Sequence, residues 1–129
     1  RLFGTRKWVI FAGNAAGAIA LFALWLSPSY SILFATVMLA IVGLSGSTFA
    51  VLIAHGKAVF PAHLTGRGVT LMNLFGIGGA GVMQFASGSI YLAKQTSIPS
   101  DAYAVLFGIF AIVVTLGLLA YLWSTDRTD

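Results

Sequence analysis

Apolar residues run along this chain in four long stretches, near 8–26, 31–55, 68–93 and 102–123, with polar residues gathered between them. Each stretch is long enough to cross a ~30 Å hydrocarbon core, which takes about 20 helical residues. The connections SPSY (27–30), HGKAVFPAHLTGRG (55–68) and KQTSIPSD (94–101) each contain Pro, Gly or Ser, residues that end helices and make turns. Pro28, Pro61 and Pro99 all fall in these connections. The pattern predicts an all-α membrane protein with four transmembrane helices.

A finer pattern lies inside the spans. On span three, Asn73, Gly76, Ala80, Gln84, Ser87 and Tyr91 recur every three or four residues, which puts them in one small and polar stripe. Span two carries Thr36, Ala40, Gly43, Ser47, Ala50 and Ala54, with Ser45, Gly46 and Thr48 beside them. Span one has Gly13 and Gly17 in G-x-x-x-G spacing and Asn14 as its only strongly polar residue. Lipid supplies no hydrophobic drive between helices, so small residues that let backbones approach carry association. Gly13, Gly17, Gly43, Gly76 and Ala80 are the expected packing positions. Span four is nearly all aliphatic or aromatic. The gradient predicts that spans two and three are interior and that spans one and four face lipid.

Composition agrees with this. Hydrophobic residues make up 59% of the 129 residues and charged ones 8%, well under the roughly 25% that a soluble surface needs. A net charge of +4 would suggest nucleic acid in a polar protein, but the basic residues are scattered between apolar runs. They do cluster by side. Arg1, Arg6 and Lys7 precede span one, Lys57 and Arg67 lie in the 55–68 connection, and Arg127 follows span four. The positive-inside rule then makes that connection and both ends cytoplasmic, in a multi-pass protein of the cell (inner or plasma) membrane. The same residues can meet anionic headgroups. Trp8, Trp25, Tyr30, Tyr91, Tyr103, Tyr121 and Trp123 fall near span ends, as an interfacial aromatic belt requires.

Candidate chemistry is sparse. LFGIGGAG (74–81) places Gly76, Gly78 and Gly81 in G-x-G-x-x-G spacing, with Asp101 some distance on. A dinucleotide turn needs a strand before it and backbone amides open to the ligand, and this motif lies deep within an apolar run. Asp101 reads instead as an outer-loop residue following Ser100, a candidate helix cap. With no cysteine, thiolate metal sites and Cys nucleophiles are excluded, and the acids Asp101, Asp126 and Asp129 all lie outside the spans. His55 and His63 lack metal-site spacing. The expectation is a non-enzyme without cofactor, metal, nucleotide or nucleic acid. Ser45, Ser47, Thr48, Asn73 and Gln84 are the candidates for lining a solute cavity. The competing reading gives the two amides to a neighbouring helix and lets the three hydroxyls bond a carbonyl four residues back in their own.

Over essentially its full length the chain resembles the C-terminal part of a major facilitator superfamily transporter. RLFGTRKWVI (1–10) is similar to the end of that family's basic loop, in which a D-R-x-G-R-R/K pattern precedes a helix. AVFPAHLTGRGVTLMNLFGIGGAGVMQ (58–84) is similar to its tenth-to-eleventh helix connection, and STDRTD (124–129) to a short cytoplasmic tail. Arg1 and Gly4 stand one residue further apart than in the usual motif, whose Asp would precede this segment. The resemblance implies helices nine to twelve of a twelve-helix bundle, and a secondary transporter moving a small solute by alternating access. Its partners would be the bilayer, the remaining helices and the solute. A start at Arg1 without Met or signal peptide fits a segment of a longer protein. No acid lies on spans two and three, which favours an anionic or neutral solute.

Two alternatives accompany this expectation. A self-contained four-span exporter of the small multidrug-resistance kind has the right length, but such proteins depend on a membrane-embedded Glu in the first helix. Here Asn14 stands at that depth. A non-transporting scaffold that binds a partner through its small-residue faces is the other.

Overall fold

Prolines and one serine–glycine cluster decide where this chain stops being helical. The computed structural model describes residues 6–124. Helix α1 (Arg6–Leu26) ends ahead of Pro28; α2 (Ile32–Gly46) and α3 (Thr48–Val59) follow in near continuity. One 3₁₀ turn, Ala62–Leu64, leads into α4 (Thr65–Ala93), and α5 (Pro99–Leu122) completes the described part. These form four helical units long and apolar enough to cross a membrane, with α2 and α3 counting as one. Arg1, Gly4 and residues 125–129, and with them most of the basic-loop motif and the tail, lie outside the described residues.

The second unit is interrupted at Ser47. The hydroxyls of Ser45, Ser47 and Thr48 donate to the carbonyls of Val42, Leu44 and Ser45, each at 2.7 Å and each three residues back, not four. The Ser47 amide also donates to Leu44, at 3.1 Å. Hydroxyls and an amide competing for carbonyls one position early tighten the turn, and Gly46 supplies no side chain to resist it. At the far end of α2 the chain is conventional: Ser31 caps it, its Oγ accepting from the Phe34 amide at 3.0 Å.

The 55–68 connection is much shorter than its polarity implied. Helix α3 runs on to Val59 and α4 starts at Thr65, so His55, Lys57 and Arg67 are helical, as are Arg6 and Lys7 at the start of α1. Charge alone does not end a helix whose long side chains can reach out of the apolar layer. Pro61 does, because it has no amide to donate. Its carbonyl accepts from the Leu64 amide and the Thr65 hydroxyl, which start the next turn. Ser100 is not the cap of α5. Pro99, with its φ already helical, stands in the first turn, and the Thr96 hydroxyl accepts from the Ile98 amide and lies 2.8 Å from Asp101 Oδ2.

Burial within the chain runs opposite to the order drawn from the stripes. Helix α1 is the centre, packed against α5, α2 and α3. Ile10, Asn14, Gly17, Leu21 and Leu24 repeat at alternating steps of four and three, the spacing of a helix face, and all but Asn14 are buried. On α5 the matching buried residues are Ala102, Leu106, Gly108 and Ala111. Gly108 receives the Trp25 ring, which a Cβ there would meet at 2.9 Å. Helix α2 has no buried residue, and α4 only Gly68. Helix α4 meets α3 along its first half, with Gly56 beside Met72, Gly68 beside Phe60 and Gly76 beside Phe49. It meets α5 near its other end, where the Tyr91 and Tyr103 rings lie 5.1 Å apart. Span one has both the bulk to fill and the small residues to admit a neighbour; the stripe on span two is largely exposed, and that on span three is exposed at Ala80 and Gln84 and half-buried elsewhere.

Candidate functional site

The polar residues of spans one and two converge where α1 crosses the Ser47 break. A Cβ on Gly13 would run into the Thr48 methyl, and one on Gly17 would sit 2.5 Å from Ser45 Oγ. The surface that the two glycines admit is the break itself. Asn14 lies between them and donates through Nδ2 to Ile10 O and to Thr48 Oγ1, both at 2.9 Å. The Thr48 proton goes to Ser45 O, so its oxygen accepts from Asn14, and Ile10 O accepts only. Both contacts require an amide nitrogen, which turns Asn14 Oδ1 the other way. Ser45 and Thr48 are thus joined to α1, whereas Ser47 is exposed and bonded within its own helix.

Asn14 also borders a cavity of about 230 Å³ between α1, α3 and α5, lined by Ile10, Leu52, Val114, Gly117, Leu118 and Tyr121. At its end stands a contact that the polarity pattern missed. His55 is only 3% exposed, and its Nδ1 shares a hydrogen bond with the Tyr121 hydroxyl, the rings meeting edge to face. This pair ties α3 to α5, two helices whose backbones do not approach one another. Nearby, Arg6 donates to Ala54 O at 3.3 Å, and Lys7 donates to Leu122 O and Ser124 O at 2.7 and 2.6 Å. Lys7 is well placed there, since a helix C-terminus presents unpaired carbonyls and partial negative charge. Arg6, Lys7 and His55 thus draw one end of α1, α3 and α5 together.

The remaining candidates lie apart from this cluster. Asn73 is half-buried on α4, Gln84 and Ala80 are exposed, and neither amide is hydrogen-bonded among the described residues. Gly76 does meet a neighbour, for a Cβ there would lie 3.0 Å from the Phe49 ring. Gly43 is exposed, with nothing within 4 Å of an added Cβ. Lys57 and Arg67 are exposed at the same end as Arg6 and Lys7. The five cavity candidates do not form one site: Ser45 and Thr48 face α1, while Ser47, Asn73 and Gln84 do not join them. Asn14 stood out in the sequence as the lone polar residue of span one. Tyr121 was legible only as an interfacial aromatic, and nothing local paired it with His55, 66 positions away. Comparison with protein-family models, curated proteins and solved structures finds no match to this chain.

Proposed function

We propose that this chain is part of a secondary active transporter of the major facilitator kind, its four spans being the last four of the bundle. The observation that carries the reading is the exposure of the Gln84 amide on α4 beside exposed Ala80, with Asn73 and Ser87 on the same stripe half-buried. An amide facing lipid costs free energy, so this face calls for a polar cavity or further helices. A path between two helical bundles supplies both. Motif similarity in 1–10 and 58–84 points the same way. Asn14 is committed to Ile10 and Thr48, which leaves the four-span exporter without the embedded acid that it would need.

The chain has no cysteine, so single cysteines can be introduced at positions 73, 80 and 84 without background. In the full-length protein in membranes, a small water-soluble thiol reagent should label position 84. The labelling rate should change when a proton or sodium gradient is imposed. Silence at all three positions from both sides of the membrane would remove the transport reading.

A further inference from the structure

Among the described residues, the end of the molecule that gathers Arg6, Lys7, Lys57 and Arg67 has no acidic side chain; the only described acid, Asp101, is bonded to Thr96 at the opposite end. Arg6 and Lys7 are engaged by backbone carbonyls. Lys57 and Arg67 are exposed, and they differ in what lies beside them. Arg67 heads an open groove of about 490 Å³ lined by Gly66, Thr70, Leu71 and Leu74. Leu71 and Leu74 are 50% and 65% exposed. The Thr70 hydroxyl donates to Gly66 O at 3.0 Å, so the guanidinium is the side-chain donor left for a ligand. Gly66 adds no side chain to crowd it, and a Cβ there would meet nothing within 4 Å.

We infer that this groove holds an anionic phospholipid, its phosphate on Arg67 and an acyl chain along Leu71 and Leu74. The cation and the apolar floor follow one another along the helix axis over ~10 Å, at 1.5 Å per residue, and continue into the apolar length of the span. A guanidinium matches phosphate in charge and in its forked donors. Arg67, Leu71 and Leu74 are roughly 125° around the helix from Asn73, Ala80 and Gln84, at about 100° per residue, while Gly66 and Thr70 form the groove's edge toward that stripe. The inference needs α4 to lie in a membrane and does not rest on the transport reading.

The test counts lipids retained by the purified protein in native mass spectrometry, with phosphatidylglycerol or phosphatidylcholine supplied at equal concentration. Phosphatidylglycerol should be retained about fivefold more strongly, the effect of one cation at an anionic surface. Arg67→Gln should abolish that preference, and Leu71→Trp, which keeps the charge but fills the groove, should reduce it. Lys57→Gln should leave it unchanged. Circular dichroism on each variant separates loss of helix from loss of lipid. No preference in the wild type, equal loss in Lys57→Gln, or displacement by free inorganic phosphate would each overturn the assignment.

Discussion

Helices α1 and α4 use the same residue in opposite ways. On α1, Gly13 and Gly17 are closed over by Thr48 and Ser45, and no larger side chain would fit without displacing them. On α4, Gly78, Gly79, Gly81 and Gly88 have nothing within 4 Å of where a Cβ would be. Both helices advertise small-residue surfaces in the sequence; that of α1 is covered within the chain, and that of α4 only at Gly68 and Gly76. The glycines of α1 work beside Asn14, whose hydrogen bond to Thr48 fixes the depth at which the helices cross. The outward side of α4 carries Leu71, Leu74, Ile77 and Phe85, all exposed, suited to lipid or to another helix. A glycine stripe thus states that something approaches without stating what.

The largest effect should come from filling the closed contact. Gly17→Leu drives a side chain into Ser45 at the break, and overpacking of this kind costs ~1–3 kcal/mol. Unfolding of the protein in mixed micelles by increasing dodecyl sulfate would measure it. Gly81→Leu on α4 is the matched control and should change little. Equal losses in the two variants would abolish the contrast between the helices.

Next in size is Tyr121→Phe, which removes the hydroxyl that meets the buried His55. Loss of one partner of a buried polar group costs about 1–3 kcal/mol, here at the lower end because His55 sits near a helix end. The same titration should show it, together with faster hydrogen exchange at the last turn of α3. If exchange there is unchanged, His55 and Tyr121 do not hold α3 to α5. Thr48→Val should cost less, ~0.6–1.7 kcal/mol, the range for interhelical hydrogen bonds in membrane proteins. It keeps the shape against Gly13 and removes the acceptor from Asn14. A loss as large as that of Gly17→Leu would mean that the hydrogen bond, more than close approach, holds α1 to the break.

What the sequence made legible follows from how far each signal reaches. The four spans are a property of consecutive residues, and the structure keeps them to within a few positions, apart from the 55–68 connection and the break at Ser47. The break was half visible. Ser45, Ser47 and Thr48 can each bond their own helix; whether the carbonyl is three or four residues back depends on local geometry that spacing does not encode. Polarity alone makes the connection too long, because a helix end can carry His55, Lys57 and Arg67. His55–Tyr121 and Arg6–Ala54 join positions 66 and 48 residues apart, beyond the reach of any local pattern. The inverted order of burial has a similar cause: a stripe of small residues records that a face can pack, and among the described residues α4 has α3, α5 and the adjoining 3₁₀ turn to pack against.

The smallest effect is the one that separates the chain from the assembly proposed for it. Ala80 is exposed on α4, between the Gly76–Phe49 contact and the Tyr91–Tyr103 contact. Ala80→Leu adds volume at an exposed position, so the stability of the 129-residue protein should move by no more than ~0.5 kcal/mol. In the proposed full-length transporter the same substitution would meet whatever covers the Asn73–Gln84 face. Folded yield or transport per folded molecule should then fall, as for an overpacked contact. Measured side by side, the two values read different things: the first reports packing inside the chain, the second a partner outside it. A loss above ~1 kcal/mol in the chain alone would place α4 in a closed contact like that of α1. No loss in either protein would leave the stripe facing lipid or water, and Gln84 would then have no helix to justify it.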